Sequence, residues 1–182
     1  WFDGRWRQLR HQKVIRLHRN RTMYALNTLS IRRATQDDDQ AIAALWRQSW
    51  ASANRWATDI APLEAWLERV RTEFRAPKDV VLSLDEQGEI NGFMVIDLLR
   101  GYVDQLFIAP AHQGHGLGGA LLDVACERMP HGWTLHVGRA NMGAQRFYAQ
   151  YGLSRGALSV DPKSGRERLA YRWNSDSEFK SF

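Results

Sequence analysis

The segment Gln113-Gly114-His115-Gly116-Leu117-Gly118-Gly119 lies between a predicted strand, residues 102–108, and the clearest helical pattern in the chain. That pattern is an apolar stripe at helical spacing, formed by Leu117, Ala120, Leu121, Val124 and Ala125. The glycines let the backbone N–H groups of the turn face one point, and the unpaired N–H groups of a helix N-terminus attract anions. A tight strand-to-helix connection is the simpler alternative, but it does not require four glycines. The segment therefore predicts a turn that binds a pyrophosphate, with Gln113 and His115 as further donors.

Short strands and helices surround this turn. Apolar residues that alternate or run continuously predict strands at residues 29–34, 80–84, 90–99, 102–108, 133–137, 153–160 and 166–173. Helical spacing and end signals predict helices at residues 41–50, at 63–74, from 117 to just before Pro130, and at 141–151. The order β-α-α-β-β-β-α-β-α-β-β predicts an α+β fold with a mixed, mostly antiparallel twisted sheet and about four flanking helices. We expect one domain, spanning residues 29–175.

The two ends of the chain are predicted to lie outside this domain. Of the net charge of +5, residues 1–22 contribute +6, because seven arginines and lysines stand there against Asp3 alone. The remaining residues therefore sum to −1, and the predicted domain is close to neutral. We expect residues 1–28 to be a basic extension and residues 176–182 a C-terminal tail. A basic arm that contacts phosphates stays open as an alternative, but nucleic acid is not the expected partner.

The composition argues against several other classes of protein. Cys126 is the only cysteine, which excludes an internal disulfide and a zinc site with several cysteines, and which fits a reducing compartment. No apolar run approaches the roughly 18–20 residues that span a bilayer. We therefore expect a cytoplasmic protein without a membrane partner. No metal is expected either, since the histidines lack carboxylate or thiol companions at ligand spacing.

A dinucleotide-binding turn is the main competing interpretation, because Gly114-x-Gly116-x-x-Gly119 fits the dinucleotide fingerprint. Such a unit needs a parallel strand after the helix that ends in an acidic residue for the ribose. The strand at residues 133–137 is followed by Gly138 and Arg139 instead. No Gly-Lys-Ser/Thr follows the glycines, which excludes a Walker-type loop. The sequence therefore argues against a nicotinamide enzyme.

A second segment carries the most informative pattern. Asn141, Ala144 and Tyr148 stand at i, i+3 and i+7, so one helix face presents an amide, a small residue and a phenol. Phe147 and Tyr151, four residues apart, are expected to turn towards the core.

Together the two segments closely resemble the GNAT superfamily of acetyl-CoA-dependent N-acetyltransferases. The resemblance covers about residues 29–173. It rests on the signature Gln113-x-x-Gly116-x-Gly118 and on the later pattern Asn141, Ala144, Phe147-Tyr148 and Gly152, with Leu153 in place of the usual phenylalanine.

The resemblance implies that the glycine turn holds the pyrophosphate of acetyl-CoA and that the strand before it pairs with pantetheine. It also implies that Asn141 steadies the pantetheine and that Tyr148 lies near the sulfur. The residues expected to bind acetyl-CoA are Leu106, Phe107, Ile108, Gln113, Gly114, His115, Gly116, Leu117, Gly118, Gly119, Asn141, Ala144 and Phe147.

Acetyl transfer to an amine requires a neutral amine, a stabilised oxyanion and a proton for the leaving thiolate. Tyr148 fits the third requirement, since free phenol and thiol pKa values differ by roughly 1.5 units. A backbone N–H of the strand that contains Leu106 is the expected oxyanion donor. The base stays open between Asp104, for which a solvated or paired carboxylate is the alternative, and His136, for which a packed or hydrogen-bonded imidazole is the alternative.

The acceptor is the least readable part of the sequence. Trp46, Trp50, Trp56 and Trp66 crowd the first two helices, where they either wall an acceptor pocket or pack in the core. We expect a small-molecule amine as acceptor, with a protein N-terminus or lysine as the second choice. A non-catalytic acetyl-CoA-binding protein is the third reading, and either a monomer or a homodimer fits.

Overall fold

The computed structural model describes residues 30–54 and 57–174. The predicted extension (residues 1–28) and the tail (residues 176–182) lie outside the described residues, as does Trp56. Within them the strands are β1 (Ser30–Arg33), β2 (Lys78–Leu84), β3 (Ile90–Asp97), β4 (Tyr102–Ile108), β5 (Trp133–Gly138), β6 (Ser154–Val160) and β7 (Glu167–Trp173). The helices are α1 (Asp39–Ala53), α2 (Leu63–Glu73), α3 (Leu117–Arg128) and α4 (Met142–Tyr151). The predicted order of elements and the α+β class are confirmed; the short 3₁₀ turns Gln36–Asp38 and Pro110–His112 were not predicted.

The seven strands form one open sheet in the order β1-β2-β3-β4-β5-β7-β6. Neighbouring strands are antiparallel except β4 and β5, which run parallel. The β4–β5 register contains one pair, Tyr102 with Thr134. Beyond that pair the two strands diverge, which leaves the backbone groups of β4 on that side without a ladder partner among the described residues.

A β-bulge in β4 changes the direction of its side chains. Ile96 lies opposite Val103 and Val95 lies opposite Gln105, so Asp104 is the extra residue of the bulge. As a result Val103 and Leu106 both contact the core under α3, although a regular strand would direct them to opposite faces. The strand was predicted, but the bulge at Asp104, the residue proposed as a base, was not.

The sheet separates two apolar cores. On one face, α3 and α4 pack on β3, β5 and β7 through residues such as Leu121, Leu122, Tyr148, Met94, Leu135 and Tyr171. On the other face, α1 and α2 pack on β2 and β3 through residues such as Ile42, Trp46, Trp66, Val70, Leu82 and Phe93. Burial of these side chains supplies most of the apolar stabilisation of the fold.

The tryptophans of the first two helices belong mainly to the second core. Trp46 and Trp66 are 2% and 6% exposed, and their rings meet edge to face with centroids 4.9 Å apart. Trp50 packs partly buried against the same cluster. Core packing, one of the two readings of these residues, is therefore what the structure shows for Trp46 and Trp66.

Candidate active site

A cavity of about 170 Å³ opens where β4 and β5 diverge. It is lined by residues 103–107 of β4, by residues 135–138 of β5, and by Asn141, Ala144 and Tyr148 from the start and the middle of α4. Because the diverging strands leave β4 backbone groups free along this gap, an extended ligand can pair with β4 as a further strand would. The cavity thus combines a free strand edge with acidic, imidazole and phenolic side chains.

The glycine turn adjoins the C-terminal end of β4. Gly114 and Gly116 have φ angles of +82° and +85°, in the left-handed region that disfavours side chains, and Gly116 is the N-cap residue of α3. A Cβ built on either glycine meets no atom within 4 Å, so both backbones border open space. The first N–H groups of α3 have no helical acceptor, and they face the same turn. This is a cradle that an anionic group such as a pyrophosphate fits.

The other two glycines of the turn have a different function in the fold. A Cβ on Gly118 would lie 3.0 Å from Cζ of Phe147, and one on Gly119 would lie 3.9 Å from the ring of Tyr151. Gly118 therefore lets α4 approach α3 closely. The sequence groups Gly118 with the anion-binding residues, and this packing contact was not foreseen.

Side chains at the ends of the turn make local contacts. Gln113 donates from Nε2 to the carbonyl oxygen of Ile108 at 3.2 Å, so its amide ties the turn to the end of β4. His115 is exposed. Asn141 is the N-cap of α4 and its Oδ1 accepts the N–H of Ala144 at 3.0 Å, so α4 begins one residue later than predicted.

Tyr148 brings a buried phenol to the cavity. Its side chain is 8% exposed and packs beside Phe147 and Tyr171, with ring centroids 5.2 Å and 5.6 Å away. Its hydroxyl has no hydrogen-bond partner among the residues that the structure describes. Burial raises the pKa of this phenol above its usual value. The hydroxyl therefore keeps its proton at neutral pH and can donate it to a ligand.

Phe147 and Tyr151 turn inwards, as the helical spacing predicts. Both are partly buried against the core under α3 and α4. The Tyr151 hydroxyl donates to Oδ1 of Asp123 at 2.5 Å, a contact between α3 and α4 that sequence reasoning missed. Burial raises the pKa of both Tyr151 and Asp123.

Asp104 is an ion-paired carboxylate on the cavity wall. Its Oδ2 lies 2.6 Å from Nζ of Lys78, and the two side chains are 23% and 24% exposed. The sequence left two interpretations of Asp104 open, a catalytic base and a paired carboxylate. The structure contains the ion pair. Asp104 also lines the cavity, so a function as a base remains compatible with its position. Lys78 was not singled out from the sequence, because nothing local links β2 to β4.

His136 is hydrogen-bonded across the seam between β4 and β5. Its Nδ1 lies 3.0 Å from the hydroxyl oxygen of Tyr102. Burial, and then the positive charge of Arg168, lower the pKa of the imidazole below its usual value. The hydrogen-bonded imidazole anticipated as an alternative is therefore present, and Tyr102 is a partner that sequence reasoning missed.

Comparisons with known proteins agree with this geometry. The model of the acetyltransferase (GNAT) family matches residues 39–153. The chain belongs to that family. Peptidyl-lysine N-acetyltransferase YjaB of Salmonella typhimurium is 30% identical over 125 residues, which cover 68% of this chain and 82% of that protein.

Solved structures of this acetyltransferase family share the fold. The solution structure of apo YjaB from Escherichia coli has a TM-score of 0.66 and 25% identity, and the match covers 80% of this chain and 97% of that one. PaiA N-acetyltransferase from Thermoplasma acidophilum, solved with coenzyme A, has a TM-score of 0.61 at 15% identity, covering 80% and 99%. The latter likeness shows the fold alone.

As a GNAT acetyltransferase, the chain transfers an acetyl group from acetyl-CoA to an amine. The residues present fit this co-substrate, because the open backbone at Gly114 and Gly116 leaves room for phosphates beside the start of α3. Among the helices that the structure describes, none has both the length and the hydropathy of a membrane span. Nor do the described residues contain a group of three or more side chains suited to hold a metal ion.

Proposed function

We propose that this acetyltransferase acts on small primary amines, with Tyr148 as the acid for the CoA thiolate and Asp104 as the base for the amine. The observation that carries the proposal is that both side chains line the cavity where β4 and β5 separate. The acid would come from α4 and the base from the bulge of β4. A nucleophile that enters between them meets groups suited to both proton movements of the reaction.

β4 beyond the bulge is proposed to hold the donor. Leu106, Phe107 and Ile108 follow the point at which β5 leaves β4, so within the described part of the chain their backbone groups on that edge lack ladder partners. We propose that these groups pair with the amides of pantetheine and that one N–H stabilises the charge that develops on the acetyl oxygen. A donor of this kind contributes roughly 3 kcal/mol to transition-state stabilisation. The glycine turn and Asn141 would fix the two ends of the same ligand.

Tyr148 is proposed to protonate the leaving sulfur. Burial of the phenol makes its deprotonation harder, but a thiolate beside the same apolar residues is destabilised in the same way. The difference between the two groups therefore stays near that of the free phenol and thiol, roughly 2 kcal/mol. A hydrogen bond from the Tyr148 hydroxyl, which bonds to none of the described residues, would already stabilise the departing thiolate.

Asp104 is favoured over His136 as the base for a tautomeric reason. A phenol is a better donor to an imidazole nitrogen than the reverse, so we assign the Tyr102 proton to the bond with Nδ1 of His136. Neutral His136 then carries its own proton on Nε2, where it can donate but not accept. Asp104 keeps one oxygen, Oδ1, that no ion pair within the described residues uses. Once the amine has attacked the acetyl carbon its N–H becomes acidic enough for a carboxylate to remove.

A lysine side chain of another protein is the second candidate acceptor. The observation that favours it is the relative named a peptidyl-lysine N-acetyltransferase, which is 30% identical to this chain. A location in the cytoplasm, and a monomer or homodimer as the working form, belong to the same proposal.

The test of these roles is thiol release from acetyl-CoA, measured against pH with short alkyl amines, amino acids and lysine peptides. We expect Asp104→Asn to lower kcat/KM by about 10²-fold or more. His136→Gln should cost less than Asp104→Asn, and Asp85→Asn, a surface control on the β2–β3 turn, should change nothing. A larger loss from His136→Gln than from Asp104→Asn would reverse the assignment of the base.

A further inference from the structure

Lys78 reaches the site from a distant strand. It is the first residue of β2, which β3 separates from β4, and its side chain meets Asp104 on β4. Nζ lies 2.6 Å from Oδ2 of Asp104, with about a quarter of each side chain exposed. The ammonium group of Lys78 is therefore already paired with the carboxylate of Asp104, the group that is proposed to act as the base.

The position of that ammonium has a chemical consequence. A nitrogen that gives its proton to Asp104 must lie within hydrogen-bond distance of the carboxylate, which is where Nζ of Lys78 lies. Asp104 in turn lines the cavity that also contains Tyr148 and Leu106. Lysine has four rotatable bonds in its stem, so its amine has the freedom to move from Asp104 towards the cavity.

We propose that the enzyme acetylates itself at Lys78. This inference rests on the proposed function, because it uses the same acid, base and donor site. It assigns a modification site to a residue of the acetyltransferase itself, distinct from the external acceptor.

The reaction balances without another reactant. The ammonium of Lys78 loses one proton to water, and the neutral amine forms a C–N bond to the acetyl carbon. Asp104 takes the second N–H proton as the C–S bond of acetyl-CoA breaks, and Tyr148 protonates the thiolate. The proton on Asp104 then returns to Tyr148 through water. The products are an amide at Nζ, free CoA and one proton.

Acetylation of Lys78 would change the charges around Asp104. The amide carries no charge, so the ion pair with Asp104 ends and the carboxylate is free for the ammonium of an external amine. Lys78 also lines a second concavity, of about 290 Å³, together with Arg33 and Arg75. That concavity would lose one of its three cations.

The lysine content of the chain makes the inference easy to test. There are four lysines: Lys13, Lys78, Lys163 and Lys180. Lys163 is exposed on the turn between β6 and β7 and forms no salt bridge within the described residues, so it reports the background of chemical acetylation. Lys78→Arg keeps the positive charge beside Asp104 but cannot be acetylated, which makes it the matched variant.

The experiment incubates the full chain with acetyl-CoA alone, follows the intact mass for the gain of acetyl groups, and maps them by proteolysis. We expect Lys78 to be acetylated at least about tenfold faster than Lys163, because its amine is held beside the base. The rate per molecule should not depend on protein concentration. Tyr148→Phe should slow the reaction at Lys78 alone, and Lys78→Arg should abolish the fast phase.

Equal modification of Lys78 and Lys163 would overturn the inference. If the same sample releases thiol with external amines while Lys78 stays unmodified, self-acetylation is wrong and the proposed function stands. If neither Lys78 nor any amine is acetylated, both are wrong.

Discussion

The hydroxyl oxygen of Tyr102 lies 3.0 Å from Nδ1 of His136, beside the one described residue pair that joins β4 to β5. The bond lies near the point from which the two strands separate. It holds one edge of an imidazole that lines the cavity. The charged groups that act on this imidazole are Arg168 and Asp161, from β7 and the turn before it.

The pH dependence of stability should include a contribution from His136. Its pKa is lowered in the folded protein by burial and by Arg168, whereas the unfolded chain protonates it near its usual value of about 6.5. As the pH falls below that value the unfolded state binds the proton first, so the free energy of unfolding should decrease. Urea unfolding at pH 7 and pH 5 should show a smaller decrease for His136→Gln than for the wild type. His115→Gln, an exposed control, should retain the full decrease. If the decrease in His136→Gln equals that of the wild type, His136 does not contribute to the pH dependence of stability.

Replacement of Gly116 by aspartate should weaken acetyl-CoA binding without unfolding the protein. Gly116 and Gly88 both have a φ of +85° with no atom within 4 Å of an added Cβ, so each aspartate costs about 1 kcal/mol of backbone strain. Only the aspartate at 116 would place a negative charge beside the pyrophosphate. Calorimetric titration should show an affinity at least about tenfold lower for Gly116→Asp than for Gly88→Asp. Equal affinities would mean that the phosphates bind elsewhere.

Gly118→Ala should destabilise the contact between α3 and α4. The added Cβ would lie 3.0 Å from Cζ of Phe147, and overpacking of this kind costs about 1–3 kcal/mol. Gly119→Ala is the matched control, because its nearest neighbour is 3.9 Å away and alanine favours a helix. We expect thermal unfolding to show a lower Tm for Gly118→Ala only, with partial recovery in Gly118→Ala/Phe147→Leu. A Tm for Gly118→Ala that equals that of Gly119→Ala would contradict this packing.

Tyr148→Phe should separate catalysis from stability. The lost hydroxyl is buried and has no partner in the described structure, so the free energy of unfolding should stay the same or rise. The kcat for thiol release should fall by about 10²-fold, because the acid is gone. Tyr171→Phe, in the neighbouring buried ring 5.6 Å away, should leave kcat unchanged. A Tyr148→Phe enzyme of full activity would remove Tyr148 from the mechanism.

The order of strands and helices was predictable because it depends on local periodicity. The stripe from Leu117 to Ala125 and the alternation of β2 and β7 are visible within short windows, and the structure confirms those elements within a few residues. The constellation of Asn141, Ala144 and Tyr148 was predictable for the same reason, since one helix and its N-cap present all three.

What the sequence could not predict depends on contacts between distant segments. The bulge at Asp104 follows from the register of β4 against β3, which no single strand reveals. The partners of the two candidate bases, Lys78 and Tyr102, come from other strands, 26 and 34 residues away along the chain. The packing of Gly118 on Phe147 likewise joins two helices. Because that contact is not visible in the local sequence, Gly118 was grouped with the anion-binding turn.

Acetyl transfer by this site is tested by the release of free CoA thiol from acetyl-CoA when a primary amine is added to the folded protein. We predict saturable binding of acetyl-CoA at about micromolar strength, weakened in Gly116→Asp, and amine-dependent thiol release that Tyr148→Phe slows by about 10²-fold. A folded sample that does not bind acetyl-CoA, or that binds it and releases no thiol with any primary amine, would contradict this prediction.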